Sequence, residues 1–236
     1  LATEALGCIF SGGVLPDVVE VRKLHRDGHY ISLGTKACGV INPNSGKNIG
    51  AVLVSRDITR DKERMRNLEK LATLDTLTGL HNRAWINEKV GFMLAQADDQ
   101  AYTTVMFIDL NGFKAVNDLM GHATGDALLQ QVSERLRHCM RPGDSVARLG
   151  GDEFVVAAKC SNHEAASAIA LRIIDSLQAP FAIDNMDVRI GAAIGISLAR
   201  FGTATAKMLF ENADKAMYQA KARRDGSYQF FEPAAE

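Results

Sequence analysis

Three carboxylates and a pair of glycines are the residues in this chain best suited to do chemistry together. Asp109 follows directly on the apolar run Val105–Ile108. It therefore sits where a buried strand emerges, and ligands in sheet proteins collect at such strand ends. Asp152 and Glu153 follow Gly150 and Gly151, a pattern that reads as a hairpin tip. Its glycines permit positive φ and let a ligand approach the main chain closely. Adjacent carboxylates repel, so a third beside them costs stability unless a cation lies among them. Mg²⁺, which prefers a few carboxylates plus substrate phosphates, fits such a group. Taken singly, Asp109 reads more readily as a helix N-cap or turn aspartate, and the Gly-Gly tip equally well as a turn with solvated acids.

Beyond Asp109, Lys114 and Asn117 lie one helical turn apart. They precede Gly121-His122-Ala123-Thr124-Gly125-Asp126, which reads as a glycine-rich turn ending in an acid. A lysine suits developing phosphoryl charge. An Asn and an Asp together match a guanine edge, the carboxylate accepting from ring N–H and amino groups while the amide reads the other edge. His122 has a nitrogen able to reach a phosphate. The ordinary alternatives are a solvated lysine, a surface Asn, a turn histidine, and Asp126 as N-cap of Ala127–Met140. Arg141-Pro142-Gly143-Asp144 reads as a helix-terminal arginine followed by a Pro-Gly turn.

The elements that must position these residues alternate from Thr76 onward. The patterning predicts a helix over Asn82–Ala97, a strand over Tyr102–Asp109, and helices over Gly112–Met120 and Gly125–Met140. A hairpin of Ser145–Leu149 and Glu153–Lys159 should flank the Gly-Gly turn. A helix over Ala165–Gln178, a strand over Val188–Leu198, a helix over Ala206–Ala222 and a last strand at Tyr228–Phe231 complete the series. Helices layered on a central sheet are the expected result. Ahead of this part, Val18–Arg26, His29–Cys38 and Ile49–Asp57 read as an antiparallel meander turned at Asp27-Gly28 and Asn42–Asn48. Between them runs Ile58–Asp75, free of Gly and Pro. Its Ile58, Met65 and Ala72 recur every seven residues, with Leu68 in step. That spacing suits either a short parallel coiled coil or an amphipathic helix packed on its own domain.

Composition narrows the class. The 236 residues are 47% hydrophobic and 23% charged with net charge −1, an ordinary balance for a globular chain. The near-zero charge gives no global basic field, which argues against nucleic acid as a main partner. The longest apolar runs are too short to span a bilayer, and no secretory signal is present. The chain starts at Leu1 without a Met, as a fragment of a longer protein would. Four scattered cysteines (Cys8, Cys38, Cys139 and Cys160) lack a C-x-x-C pair and read as small buried hydrophobes in a reducing, cytoplasmic setting.

Four motifs in order carry a family resemblance. They are Asp75-x-Leu77-Thr78-Gly79-Leu80-x-Asn82-Arg83, Phe107-Ile108-Asp109-Leu110-x-x-Phe113-Lys114-x-Val116-Asn117-Asp118, Gly121-His122-x-x-Gly125-Asp126 and Arg148-Leu149-Gly150-Gly151-Asp152-Glu153-Phe154. Together they resemble the signature of GGDEF domains, the diguanylate cyclases, from about Leu71 to Pro233. The resemblance implies a nucleotidyl-cyclase or polymerase-palm-like fold, a central mixed β-sheet flanked by helices. It implies Mg²⁺ (or Mn²⁺) held by Asp109, the Leu110 carbonyl and Asp152, with Glu153 in support. Lys114 would steady the transition state and Asp152 would be the candidate base. Asn117 and Asp126 would read guanine, His122 would contact the nucleotide, and Phe113, Gly150, Gly151 and Lys221 would complete substrate binding. The expected reaction condenses two GTP into cyclic di-GMP across a homodimer. Arg141 and Asp144 are similar to an inhibitory product site for cyclic di-GMP. The alternative is a catalytically weak nucleotide-binding regulatory module of a larger GGDEF–EAL protein. A nucleotidyl transferase with other substrates would leave the guanine readers unexplained.

One position departs from the family pattern. Ala213-Asp214-x-Ala216-Met217-Tyr218-x-Ala220-Lys221 matches it, but where an arginine usually follows the lysine four residues on, this chain has Asp225 after Arg223 and Arg224. An acid facing phosphates is unfavourable. The meander and its closing Val54-Ser55-Arg56-Asp57-Ile58-Thr59 resemble the last strands of a PAS domain running into a signalling helix. No residue set there fixes a cofactor such as haem or flavin. Phe230-Phe231-Glu232-Pro233 resembles the joint to an EAL domain. The expected organisation is a partial PAS-like domain over 1–57, a linker helix over 58–75 and a cyclase domain over 76–236.

Overall fold

The structure is a computed structural model that describes residues 18–96, 101–223 and 227–232. The chain divides into two compact units, one up to Glu69 and one from Lys70 onward. In the first, β1 (Val19–Leu24), β2 (Tyr30–Ile41) and β3 (Asn48–Asp57) pair antiparallel in sequence order. Gly28, at φ +84°, makes the first turn in the left-handed region open to glycine. In the second turn, Asn42 folds its side-chain oxygen onto the Asn44 and Ser45 N–H groups, an Asx turn. Helix α1 (Thr59–Thr73) begins here, anchored where the Ser32 N–H donates to Thr59 Oγ1 at 2.9 Å. It crosses the division between the units and buries none of its side chains; Met65, Leu68 and Leu71 are all at least 60% exposed.

The second unit is built on a five-stranded sheet of order β10-β9-β4-β6-β5, where β4 is Tyr102–Asn111, β5 Ser145–Gly150, β6 Glu153–Cys160, β9 Gly191–Ala199 and β10 Tyr228–Phe230. β10 runs parallel to β9 while the other pairs are antiparallel, so the sheet is mixed. The central strand β4 is buried on both faces, and its side chains alternate between two cores. Met106, Ile108 and Leu110 face helices α4 (His122–His138) and α5 (His163–Gln178), meeting Leu128, Val132, Leu136, Ile169, Ile173 and Leu177. Val105 and Phe107 face α2 (Arg83–Ala95) and α6 (Ala206–Arg223), meeting Ile86, Val90, Leu209 and Met217. Each such fully buried side chain contributes about 1.5–3 kcal/mol of transfer free energy. The short α3 (Phe113–Met120) connects β4 to α4. No helix among the described residues is long and apolar enough to cross a membrane.

Several local expectations are corrected. Asn82 caps α2 rather than opening it, its Oδ1 accepting from the Trp85 N–H. Helix α4 begins at His122, three residues ahead of the expected start at Gly125, so the stretch from His122 to Asp126 is helical and not a turn. The reversal is made by Gly121 alone, at φ 86° and ψ 161°. Gly125 is a packing glycine: a Cβ there would lie 1.9 Å from Asn117 Oδ1. The expected strand Val188–Leu198 is two strands, β8 (Met186–Val188) and β9, interrupted at Arg189 and Ile190. β8 forms an unforeseen hairpin with β7 (Phe181–Ile183) around Asp184 and Asn185, both at positive φ, the backbone a two-residue turn requires. Cys139 and Cys160 are buried as expected, Cys38 is exposed on β2, and Cys8 lies outside the described residues.

Candidate active site

The register of the sheet brings the separate acids together. Asp109, near the end of β4, pairs directly with Glu153, the first residue of β6. The Leu110 N–H donates to the Asp152 main-chain oxygen at 3.3 Å, tying the strand end to the turn. Gly150 (φ +144°) and Gly151 (φ +52°) make that turn. Both lie in the range that favours glycine.

Asp109 is 6% exposed, and burial raises its pKa, with Asp152 adding to the rise and Lys221 opposing it. Lys221, from α6, places its ammonium 2.7 Å from Oδ1 and 2.8 Å from Oδ2. Only the Oδ2 contact has hydrogen-bond geometry, and Oδ1 is a buried atom with no hydrogen-bond partner. On the lysine side the balance reverses. The Asp109 hydrogen bond outweighs burial and raises the Lys221 pKa, because that side chain is 46% exposed against 8% for the aspartate. Glu153 is also pushed up, first by burial and further by Asp109, Asp152 and Asp214, against the pull of Arg83 at 3.7 Å.

Lys221 reaches this position because of a glycine elsewhere. A Cβ on Gly195 of β9 would lie 2.0 Å from the Ala213 carbonyl oxygen and 2.1 Å from the Met217 nitrogen. Helix α6 therefore lies with its backbone against the sheet, and Lys221 projects one turn beyond Met217 over the end of β4. Asp109 is thus reached from α6, from β6 and from the hairpin tip. A pocket of about 360 Å³ opens beside it, lined by Leu110, Asn111, Gly112, Phe113, Lys114, Asp152 and Lys221.

The remaining expected residues flank this pocket or stand apart from it. Lys114 is exposed on α3, and Asn117 is half-buried, its amide against Gly125. His122 and Asp126, one turn apart on α4, are both exposed. Arg141 and Asp144 belong to a separate turn, where the Arg141 N–H donates to Asp144 Oδ2 at 3.0 Å. Asp144 also lines a second hollow of about 250 Å³ with Gly79, His81 and Arg137. Asp225 and Arg224 lie outside the described residues, as does Pro233; Arg223 is the exposed last residue of α6.

The donors at the strand end are all hard oxygens. The three carboxylates do not close on one another here; among the described residues, only His25, Asp27 and His29 bring three ligand atoms within 4.8 Å. Lys221 supplies the positive charge at Asp109 instead. A buried Oδ1 without a hydrogen-bond partner, with Glu153 and Asp152 beside it, still fits a small hard cation, Mg²⁺ or Mn²⁺.

Sequence reasoning gave no role to Arg148 and Asp75, which hold the turn. Arg148 donates to both oxygens of Asp75, at 3.0 and 3.2 Å, and to the Gly151 carbonyl through Nε at 2.9 Å and Nη2 at 2.8 Å. Asp75 also accepts from the Thr78 N–H and hydroxyl. Burial alone would push the Asp75 carboxyl up; the Thr78 bonds and Arg148 outweigh it and hold its pKa below 3.8. Both residues stood in the quoted motifs, but a contact across 73 residues leaves no local trace in the sequence.

A mixed sheet flanked by helices, with acids gathered at the end of its central strand, makes this unit an α/β domain with an acidic strand-end site. Residues 72–227 match the family described as diguanylate cyclase, GGDEF domain, and the chain belongs to that family. It is 43% identical over 169 residues to the bifunctional diguanylate cyclase/cyclic di-GMP phosphodiesterase MucR of Pseudomonas aeruginosa, covering 71% of this chain and 24% of that protein. It is 35% identical over 194 residues to the cyclic di-GMP phosphodiesterase PdeR of Escherichia coli, covering 82% of this chain and 29% of that protein. The chain thus spans less than a third of either relative. A solved GGDEF domain of TpbB (YfiN) from Pseudomonas aeruginosa superposes with a TM-score of 0.64 at 40% identity, covering 67% of this chain and 94% of that one.

Proposed function

We propose that the chain is an active diguanylate cyclase that joins two GTP into cyclic di-GMP and releases two pyrophosphates. The observation that carries this reading is Asp109, a buried carboxylate with one oxygen lacking a hydrogen-bond partner, set beside Asp152 and a pocket of about 360 Å³ that also holds Lys114. Asp109, Asp152 and the Leu110 carbonyl would hold Mg²⁺ or Mn²⁺, with Glu153 in support. In a strand a residue's N–H and C=O lie on the same edge, so the Leu110 carbonyl shares the side on which its N–H meets Asp152. When bound, the ion would offset the negative charge that builds on the phosphates. Asp152 is the candidate base for the 3′-hydroxyl, which attacks the α-phosphorus of the other GTP as pyrophosphate leaves. In this reading Lys114 and Lys221 would meet phosphate charge, Asn117 and Asp126 would read guanine, and His122 would contact the nucleotide. Phe113 lines the pocket, and Gly150 and Gly151 make the turn that carries Asp152.

Each domain holds one GTP, so closing two phosphodiester bonds needs two domains face to face. The exposed apolar stripe of α1 supports pairing of this helix with its copy as the device that sets that geometry. We read the meander as a PAS-like input and the Arg141–Asp144 turn as a feedback site for cyclic di-GMP. Likeness to a protein named as a phosphodiesterase supports a second reading, a nucleotide-binding regulatory module joined to an EAL domain. Incubating the chain with GTP and Mg²⁺ separates the two. Cyclic di-GMP should form, Asp109→Asn should abolish it with the fold intact, and Arg141→Ala should relieve inhibition by added product. GTP binding without product at high protein concentration would favour the regulatory module.

A further inference from the structure

The five-residue turn between β1 and β2, His25-Arg26-Asp27-Gly28-His29, is built in a way the cyclase reaction does not use. The His25 N–H donates to the His29 carbonyl at 2.7 Å and the Gly28 N–H to the His25 carbonyl at 3.0 Å, closing the loop at its base. The two imidazoles face each other with centroids 4.7 Å apart and planes 31° apart. Asp27 folds back onto His25, its Oδ2 3.1 Å and its N–H 3.4 Å from His25 Nδ1. One ligand atom from each of the three side chains lies within 4.8 Å of the other two.

We infer that His25, Asp27 and His29 form a binding site for a divalent transition-metal ion of the borderline class, such as Zn²⁺ or Ni²⁺. Two imidazole nitrogens and one carboxylate are a donor set that suits these ions and not Mg²⁺ or Ca²⁺. Ligands bound at about 2.1 Å in a tetrahedral shell stand about 3.4 Å apart, so side-chain atoms within 4.8 Å of one another need to close by at most about 1.4 Å. The backbone bonds at the loop base already fix the segment, so little ordering remains to oppose binding. The competing partner of Asp27 is Arg26, at 3.6 Å and with a side chain 88% exposed. Such an exposed ion pair is readily given up. The site lies wholly within the first unit and is independent of the acids around Asp109.

The test is calorimetric titration of the untagged chain with ZnCl₂ in buffer containing excess Mg²⁺, which occupies hard carboxylate sites. One Zn²⁺ per chain is expected for the wild type and for Asp109→Asn. In His25→Ala/His29→Ala that equivalent should be lost, and Asp27→Asn should weaken it at least tenfold. Imidazole NMR of the wild type is the second readout and does not depend on any variant folding. Zn²⁺ should shift two of the six histidines. Absence of Zn²⁺ uptake by the wild type, undiminished uptake by the double variant, or no histidine shifts would each overturn the site.

Discussion

Strand β4 of the second unit and strand β3 of the first are both ten residues long and both rich in β-branched and apolar side chains, yet one is buried along eight positions and the other along none. In β3, Val52, Leu53 and Val54 are 53–65% exposed, and Gly34 is the one buried residue of the described meander. Alternation and turn chemistry are therefore enough to pair strands and set their register. Burial is a separate property, supplied here by helices on both faces of the sheet. The difference matters for function. A carboxylate such as Asp109 acquires a raised pKa through burial only where a core surrounds it. On the open sheet, the side chains suited to chemistry gather at a turn.

The sharpest way to break that contrast is to disturb a close approach in the buried sheet and compare it with a change on the open one. Gly195→Ala would drive a Cβ to 2.0 Å from the Ala213 oxygen, and both neighbouring groups are backbone. Helix α6 must shift, at a cost of about 1–3 kcal/mol or more. Lys221 would be drawn away from Asp109 along with it. Val54→Thr, at a position 65% exposed, should stay within about 0.5 kcal/mol of the parent. Denaturant midpoints for the two variants measure this directly; similar shifts would show that the meander carries a core of its own.

A smaller effect is expected at the Arg148 clamp. Asp75→Asn removes the charge from an ion pair whose side chains are 10% and 21% exposed, and should cost about 1–3 kcal/mol at neutral pH. The folded pKa of Asp75 lies below 3.8, so in the range beneath that value the unfolded chain binds more protons. The stabilisation is present above about pH 4 and is lost as pH falls through the folded pKa. Unfolding free energies of parent and variant, measured at descending pH, should therefore converge in acid. A gap that stays constant would mean that the charge of Asp75 contributes nothing to stability.

The two cases also mark what was legible in the sequence. Strands and helices with an unambiguous period were placed within a few residues, and the acids of the site were named because their types and order are unusual. The failures share one cause. Gly125 looked like a turn residue because a packing glycine and a turn glycine are the same letter; only Asn117, lying against it from another helix, tells them apart. The hairpin at Asp184-Asn185 was missed because its strands are three residues each, too short for any period to show. Lys221 over Asp109 and Arg148 on Asp75 join residues 112 and 73 positions apart. Such pairings exist only once the sheet has closed.

Helix α1 is the least buried element in the second half of the comparison, and the smallest change in stability is expected there. Leu68 is 60% exposed, so Leu68→Glu should leave the unfolding free energy of the isolated chain within about 0.5 kcal/mol. If Met65, Leu68 and Ala72 form the seam between two copies, the same substitution places two carboxylates at a shared interface, where each opposes the other. Sedimentation velocity should then show the dimer weakened, and cyclic di-GMP formation at fixed protein concentration should fall with it and recover as concentration rises. That recovery is the discriminating feature, because a defect within one domain lowers the rate per domain at every concentration. Unchanged sedimentation and turnover would leave α1 as an exposed linker and assign the facing of the two domains to other surfaces.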